Sequence, residues 1–221
     1  MNNIIYFDIH KRKGGIFMAS TQVKKKNSIM IGRKCDNVLT TKRKQEIESE
    51  ADNIIAKLDL KKSPFIDISS IVKNDGFEIS TMKMPIETTG CLFVNDSKNE
   101  SEREKLIVVN TVFKNPDHES DVVFKKSRFI TAHEYGHFIL HMPKDKPLYA
   151  HRDSDKRDEP EEIEADYFAR CILMPKKYFM VFYELVNEFG NNDKDFTVEM
   201  LSRFFRVTKN KVKARMEDLL A

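Results

Sequence analysis

Residues 128–141 read RFITAHEYGHFILH and hold two histidines four positions apart. In an α-helix, residues four apart lie on one face, one turn from each other. The imidazoles of His133 and His137 could therefore both reach one cation, each at about 2.0–2.1 Å if the cation is zinc. Glu134 follows the first histidine and is displaced around the helix, where it could reach a water molecule on the cation. The pattern His-Glu-x-x-His thus predicts two zinc ligands and a general base.

The flanking sequence favours a helix over residues 121–141. One stripe of apolar or small residues runs along it at helical spacing: Phe129, Ala132, Gly136 and Ile139. Pro143 ends the pattern. The small Gly136 would allow another element to approach closely. The alternative is an ordinary helix with two histidines near the surface, because a pattern of five residues also arises by chance.

A catalytic zinc site takes three protein ligands and keeps one position open. The metzincin pattern would supply a third histidine, but it needs Gly and His where this chain has Leu140 and Pro143. His141 shares the face of His137 one turn further on. We interpret His141 as a residue that supports the site rather than as a ligand.

The best candidate for the third ligand is Glu162. It lies four positions before Asp166 on one predicted helical face, with Ala165 and Ala169 beside them, and these small residues would let two helices pack closely. Asp166 is then placed to accept the free N–H of a ligand histidine and to fix its tautomer. Glu159 and Glu161 remain alternatives for the ligand role. Glu164 lies nearly opposite Glu162 on the predicted helix, so the two cannot both serve.

The pattern along the chain predicts an α+β fold in which a small antiparallel three-stranded sheet packs on a helical core. Three extended segments make the sheet: Phe77–Met82, Cys91–Asn95 and Leu106–Asn110. Before them, Ile47, Ala51 and Leu58 belong to one helical face. Asp67 can cap a short helix, Ile68–Asn74.

After the His-Glu-x-x-His helix, residues 142–160 are charged and proline-containing, which predicts a surface loop. Helices are expected from about Glu161 to Leu173 and then to Phe189. Residues from Thr197 to Leu219 read as two short helices with a turn at Val207-Thr208, a layout similar to a helix-turn-helix. We therefore predict a zinc metallopeptidase domain over residues 45–190 and a helical C-terminal segment over 191–221.

Residues 1–44 are predicted to be a basic, disordered leader. Residues 1–46 hold eleven Lys and Arg against three Asp and Glu, a net +8, and the remaining 27 against 32 give −5. Lys13-Gly14-Gly15 can be encoded by a bacterial ribosome-binding sequence, with Met18 at a suitable distance to be the start. Residues 1–17 are on this hypothesis absent from the natural protein, and N-terminal sequencing tests it.

The composition excludes several classes of protein. No window approaches the roughly 18 apolar residues of a membrane span, and the N-terminus lacks the apolar run of a secretory signal. The three cysteines, Cys35, Cys91 and Cys171, are odd in number and far apart, which favours a reducing, cytoplasmic setting.

From about residue 45 onward, the chain resembles the ImmA/IrrE family of zinc metallo-endopeptidases (M78-type, gluzincin-like). The resemblance rests on blocks of sequence that include Pro64–Ile68, Gly76–Ile79, Gly90–Leu92, Val108–Asn110, Arg128–His141 and Glu162–Pro175. It implies a zinc cofactor with Glu162 as third ligand. It also implies a protein substrate, a helix-turn-helix transcriptional repressor cleaved in a stress-response, prophage or mobile-element, or toxin–antitoxin setting. The group that stabilises the oxyanion stays open among Tyr149, His151 and Tyr167.

The competing hypothesis is a DNA- or partner-binding regulator whose zinc site is structural or vestigial. Four basic residues lie on or near the second C-terminal helix: Lys209, Lys211, Lys213 and Arg215. The net negative charge after residue 46 argues against direct DNA binding, and a basic helix is more often a solvated face. The sequence does not indicate an oligomeric state.

Overall fold

The computed structural model describes residues 7–12, 15–20, 39–58, 65–94, 104–112, 120–142, 149–153 and 160–220, with only the backbone of 7–12, 15–20 and 149–153. The chain divides into two compact units, Met1–Asp36 and Asn37–Ala221. The predicted turn 95–105 falls almost wholly outside the described residues. None of the helices in the described parts is both long and apolar enough to cross a bilayer.

The first unit contains an antiparallel hairpin of β1 (Phe7–Arg12) and β2 (Gly15–Ser20), with Ile9 opposite Met18. The disordered leader over residues 1–44 stays a prediction. A natural start at Met18 would remove β1 and the first half of β2.

The second unit carries seven helices among its described residues, and all the helices predicted from sequence occur. Their bounds are α1 Thr41–Ile55, α2 Ile68–Asn74, α3 Ser120–His141, α4 Pro160–Leu173, α5 Lys176–Phe189, α6 Lys194–Phe205 and α7 Lys209–Leu220. The side chain of Asp67 accepts from Ser70 N at the start of α2, as its position predicts. Gly76 has φ +84°, a left-handed conformation that glycine adopts without strain, directly before the next strand.

The sheet is mixed, so the prediction of a purely antiparallel sheet is wrong. The three predicted strands are β3 (Phe77–Met82), β4 (Thr88–Val94) and β5 (Lys105–Asn110). β5 pairs antiparallel with β4 and parallel with β3. A fourth strand, β6 (Tyr149–Asp153), pairs antiparallel with β4 at the edge, in the order β3-β5-β4-β6. Part of the predicted surface loop 142–160 is therefore a strand.

Asn110 explains the parallel pair. Its side chain accepts from Met84 N and donates to the carbonyl oxygens of Met84, Pro85 and Thr88, at 2.6–3.2 Å. These bonds hold the connection between β3 and β4 across the end of β5. β3 and β4 therefore lie on opposite sides of β5 instead of pairing with each other.

Helix α3 lies in the middle of the core. Residues 128–137 are buried without interruption, so this part is enclosed on every face and not only along the predicted stripe. Arg128 donates to the carbonyl oxygens of Phe205 and Arg206 at 2.9 and 2.6 Å, and to that of Ile66 at 2.7 Å. It thereby satisfies carbonyl groups at the end of α6, which have no partner inside that helix.

Candidate metal centre

The two histidines of α3 lie one turn apart, as their spacing predicts. His133 Nε2 and His137 Nε2 are 3.0 Å apart, and the rings are nearly perpendicular. Both side chains are almost completely buried. An ordinary pair of histidines near the surface, the alternative left open by the sequence, would not have these properties.

Helix α4 brings Glu162 to the same point. Its carboxylate oxygens lie 3.3 Å from His133 Nε2 and 3.1 Å from His137 Nε2. The helices approach closely because Gly136 has no side chain: a Cβ there would lie 2.9 Å from a ring carbon of Phe168 and 3.3 Å from the carbonyl oxygen of Ala165. Within the described parts of the chain, His133, His137 and Glu162 are the group that could hold a metal ion.

The spacing of these three donors fits zinc. Ligands bound tetrahedrally at about 2.0–2.1 Å lie about 3.3 Å from one another, and the three observed distances are 3.0, 3.1 and 3.3 Å. Burial opposes ionisation of Glu162, but its contacts with both histidines prevail and lower its pKa to about 2. Burial also lowers the pKa of His137, although Glu162 counteracts this. An ionised carboxylate and neutral imidazoles are the forms that bind metal.

Glu134 lies between α3 and β4 and is fully buried. Strand β4 reaches it because Gly90 lacks a Cβ, which would lie 2.8 Å from Glu134 Oε1 and 2.5 Å from Ile130 Cγ2. Burial and then the charge of Glu134 raise the pKa of Cys91 to about 12. Glu134 follows His133 on α3, and a carboxylate shielded from bulk water is suited to proton transfer.

Asp166 contacts the first histidine. Its Oδ1 lies 2.9 Å from His133 Nδ1, and its Oδ2 accepts from Lys211 Nζ of α7 at 3.0 Å. Because an ionised carboxylate only accepts hydrogen bonds, His133 donates from Nδ1. Its Nε2 then presents a lone pair toward Glu162 and His137, as a metal ligand requires.

His141 contacts Nδ1 of His137 and is not one of the three donors. Its Nδ1 lies 3.2 Å from His137 Nδ1, and its Nε2 lies 2.9 Å from Glu164 Oε2. Glu164 in turn binds Arg43 of α1. Sequence reasoning missed Arg43 because no local pattern links it to α4.

The structure describes the remaining candidates to different extents. Glu161 is exposed, and Glu159 falls outside the described residues. The Tyr167 ring is buried beneath the cationic groups of Lys44, Arg170 and Arg215. Of Tyr149 and His151 only the backbone is described, and His151 lies opposite Cys91 on β4.

Three of the four basic residues of α7 form ion pairs within the protein. Lys211 binds Asp166, Lys209 binds Glu199 at 2.5 Å, and the buried Arg215 binds Glu48 at 2.6 Å. The two C-terminal helices do occur, with Val207 and Thr208 between them. Their basic side chains, however, serve mainly internal contacts.

Two buried histidines from a His-Glu-x-x-His helix and one acid from a neighbouring helix define the candidate triad of a zinc metallopeptidase. Residues 125–217 match the family model of peptidase M78, described as the IrrE N-terminal-like domain. The chain therefore carries an M78 metallopeptidase domain with a candidate zinc-binding triad. No curated protein matches the chain significantly.

Proposed function

We propose that this chain is a zinc-dependent endopeptidase in which His133, His137 and Glu162 hold the metal and Glu134 is the general base. The observation that carries the proposal is the convergence of the three donor side chains at 3.0–3.3 Å on a buried point, with the buried Glu134 next to His133 in the chain. A zinc ion bound there supplies Lewis acidity, which acidifies a water molecule and polarises a peptide carbonyl.

Proton transfer and the positioning of the histidines are assigned to side chains of the protein. Glu134 takes the proton of the attacking water and delivers it to the leaving amine. Its burial against β4 favours this role, because a carboxylate shielded from bulk water transfers protons within the site. Asp166 and His141 hold the rings of His133 and His137. The group that faces the oxyanion remains a choice between Tyr149 and His151, because Tyr167 is engaged with cationic side chains.

We further propose that the substrate is a helix-turn-helix transcriptional repressor in a bacterial stress-response, prophage or mobile-element, or toxin–antitoxin setting. This proposal is supported by the M78 domain and by the family resemblance, and not by a docking surface. A cytoplasmic location is supported by Cys91 and Cys171, which are free thiols.

The competing hypothesis of a DNA-binding regulator has less support. A helix that reads DNA presents basic side chains to phosphates. Of the four basic candidates in α7, three form ion pairs with residues that the structure describes, and Lys213 forms none with that part of the chain. We therefore propose that α6 and α7 support the peptidase domain rather than contact DNA.

The test is cleavage of a repressor encoded next to this protein. The full chain, loaded with zinc, is incubated or co-expressed with that repressor, and the fragments are identified by intact mass. We expect cleavage by the wild type and a loss of about 100-fold or more in Glu134→Gln, since general-base catalysis contributes 10²–10⁴-fold. Glu134→Gln should still bind zinc, which makes it a matched control. Equal cleavage by the two proteins would refute the mechanism.

A further inference from the structure

A series of side-chain contacts leads from α1 to His137. The guanidinium of Arg43 donates from Nε and Nη2 to both oxygens of Glu164, at 2.9 and 2.6 Å. Glu164 Oε2 lies 2.9 Å from His141 Nε2, and His141 Nδ1 lies 3.2 Å from His137 Nδ1. The series joins residues 121 positions apart in the chain.

The chemistry of the groups sets the direction of these hydrogen bonds. A carboxylate paired with arginine accepts only, so His141 donates to Glu164 from Nε2. In its neutral form an imidazole has one N–H, and His141 Nδ1 is in that form an acceptor. The proton between the two rings then lies on His137 Nδ1, which leaves the lone pair of His137 Nε2 directed at Glu162 and His133.

The two histidines are thus held by hydrogen-bonded series that differ in the number of groups. Asp166 contacts His133 directly and is bound by Lys211 of α7. Glu164 does not contact His137 directly in the second series: its carboxylate contacts the ring of His141, and that ring contacts His137. Each series ends at a cationic side chain from outside the α3–α4 pair: Lys211 of α7 and Arg43 of α1.

We propose that Arg43 is a positioning residue for the metal site, which fixes the orientation and tautomer of His137 through Glu164 and His141. This inference rests on the proposed zinc site and deepens it. Arg43 lies outside the matched residues 125–217, so the site depends on α1 as well as on the matched domain. Its two parallel bonds orient Glu164, which a lysine ammonium could not reproduce.

The first experiment measures zinc affinity of the full chain by competition with a chelating indicator. Loss of an outer contact to a ligand typically weakens metal binding 10–100-fold. Because Arg43 acts through two further groups, we expect about a 10-fold loss in Arg43→Met. Lys42→Met makes the same charge change one position away, at an exposed side chain, and should leave zinc affinity unchanged.

A double-mutant cycle separates positioning from general stability. His141→Leu breaks the series and should weaken zinc binding about 10–100-fold, and Arg43→Met should add nothing in that background. His141→Asn places an oxygen near the position of Nδ1 and should restore part of the affinity. If Arg43→Met costs as much in the His141→Leu background as in the wild type, the positioning role is wrong.

A second readout needs no metal. In the zinc-free wild type, ring ¹⁵N shifts should place the His141 proton on Nε2, which donates to Glu164, and Arg43→Met should give a mixture of His141 tautomers. Thermal unfolding of the zinc-free proteins controls for folding. Should Arg43→Met fail to fold, Arg43→Lys takes its place, with an intermediate zinc affinity and tautomer ratio expected.

The outcomes distinguish the two proposals. A wild type that does not bind zinc refutes the proposed function, while the ring shifts still report on the contacts. A wild type that binds zinc tightly, with Arg43→Met unchanged in affinity and tautomer, refutes the role of Arg43 alone.

Discussion

Two helix pairs of this protein, α3–α4 and α6–α7, differ in where their ionisable side chains point. In α3–α4, His133, His137 and Glu162 converge on one buried point at 3.0–3.3 Å. In α6–α7, the ionic groups diverge: Arg215 reaches Glu48 of α1, and Lys211 reaches Asp166 of α4. Donors that converge make a ligand set, whereas charges that diverge fasten one helix to its neighbours.

This difference supports the proposal that the basic residues of α7 belong to the fold and not to a nucleic-acid site. Loss of one partner of a buried ion pair strongly destabilises a protein. The ion pairs of Lys211 and Arg215 therefore hold α7 against α4 and α1. The contrast between a helix pair proposed to bind metal and one proposed to stabilise the fold can be tested by substitution.

The largest effect is expected from Glu162→Ala. Zinc affinity should fall by more than about 100-fold, the upper end for residues that only contact a ligand, because a donor is removed. Zinc competition measures it. Glu161→Ala, one position earlier at an exposed site, is the matched control and should bind zinc like the wild type; the reverse result would assign the ligand to Glu161.

Arg215→Met should lower the free energy of unfolding by about 3 kcal/mol and Tm by roughly 6–12 °C. The variant loses the bond to Glu48 and the donation from Nε to the carbonyl oxygen of Met174 at 3.1 Å. Thermal and urea unfolding measure the change. Lys213→Met, at an exposed position, should match the wild type. A stable Arg215→Met with impaired binding to duplex DNA would instead favour the regulator hypothesis.

Gly136→Ala should destabilise the protein by about 1–3 kcal/mol, because a Cβ there would lie 2.9 Å from the Phe168 ring. It should also displace α4, and with it Glu162. A shift of about 1 Å in a catalytic group can cost ~100-fold in rate. Urea unfolding and peptidase assays compare the two losses. Wild-type activity in a destabilised Gly136→Ala would show that the spacing of α3 and α4 does not control the site.

Lys209→Met should have the smallest effect. Its ion pair with Glu199 is solvent-exposed, and such pairs contribute about 0–1 kcal/mol. Tm and binding to duplex DNA should both stay at the wild-type values. A clear loss of DNA binding would mean that the exposed face of α7 contacts phosphates.

The sequence predicts correctly those parts of the molecule whose geometry depends on residues close together in the chain. A helix places residues four apart together, so the spacing of His133 and His137 sufficed, and small residues beside Glu162 indicated a close helix pair. The parallel pairing of β3 and β5 depends on the buried Asn110 side chain, which holds the β3–β4 connection. Strand β6 lies in a charged, proline-containing segment that gives no alternation. The contact of Arg43 with Glu164 spans 121 positions and leaves no periodic trace.

The most direct test of the metal site is a crystal structure of the zinc-loaded full chain with anomalous data at the zinc edge. We predict one anomalous peak within about 2.0–2.2 Å of His133 Nε2, His137 Nε2 and a carboxylate oxygen of Glu162, with Glu134 beside it and not bound. A peak elsewhere, or a zinc ion at the two histidines with Glu162 turned away and no other acid in its place, would contradict the account.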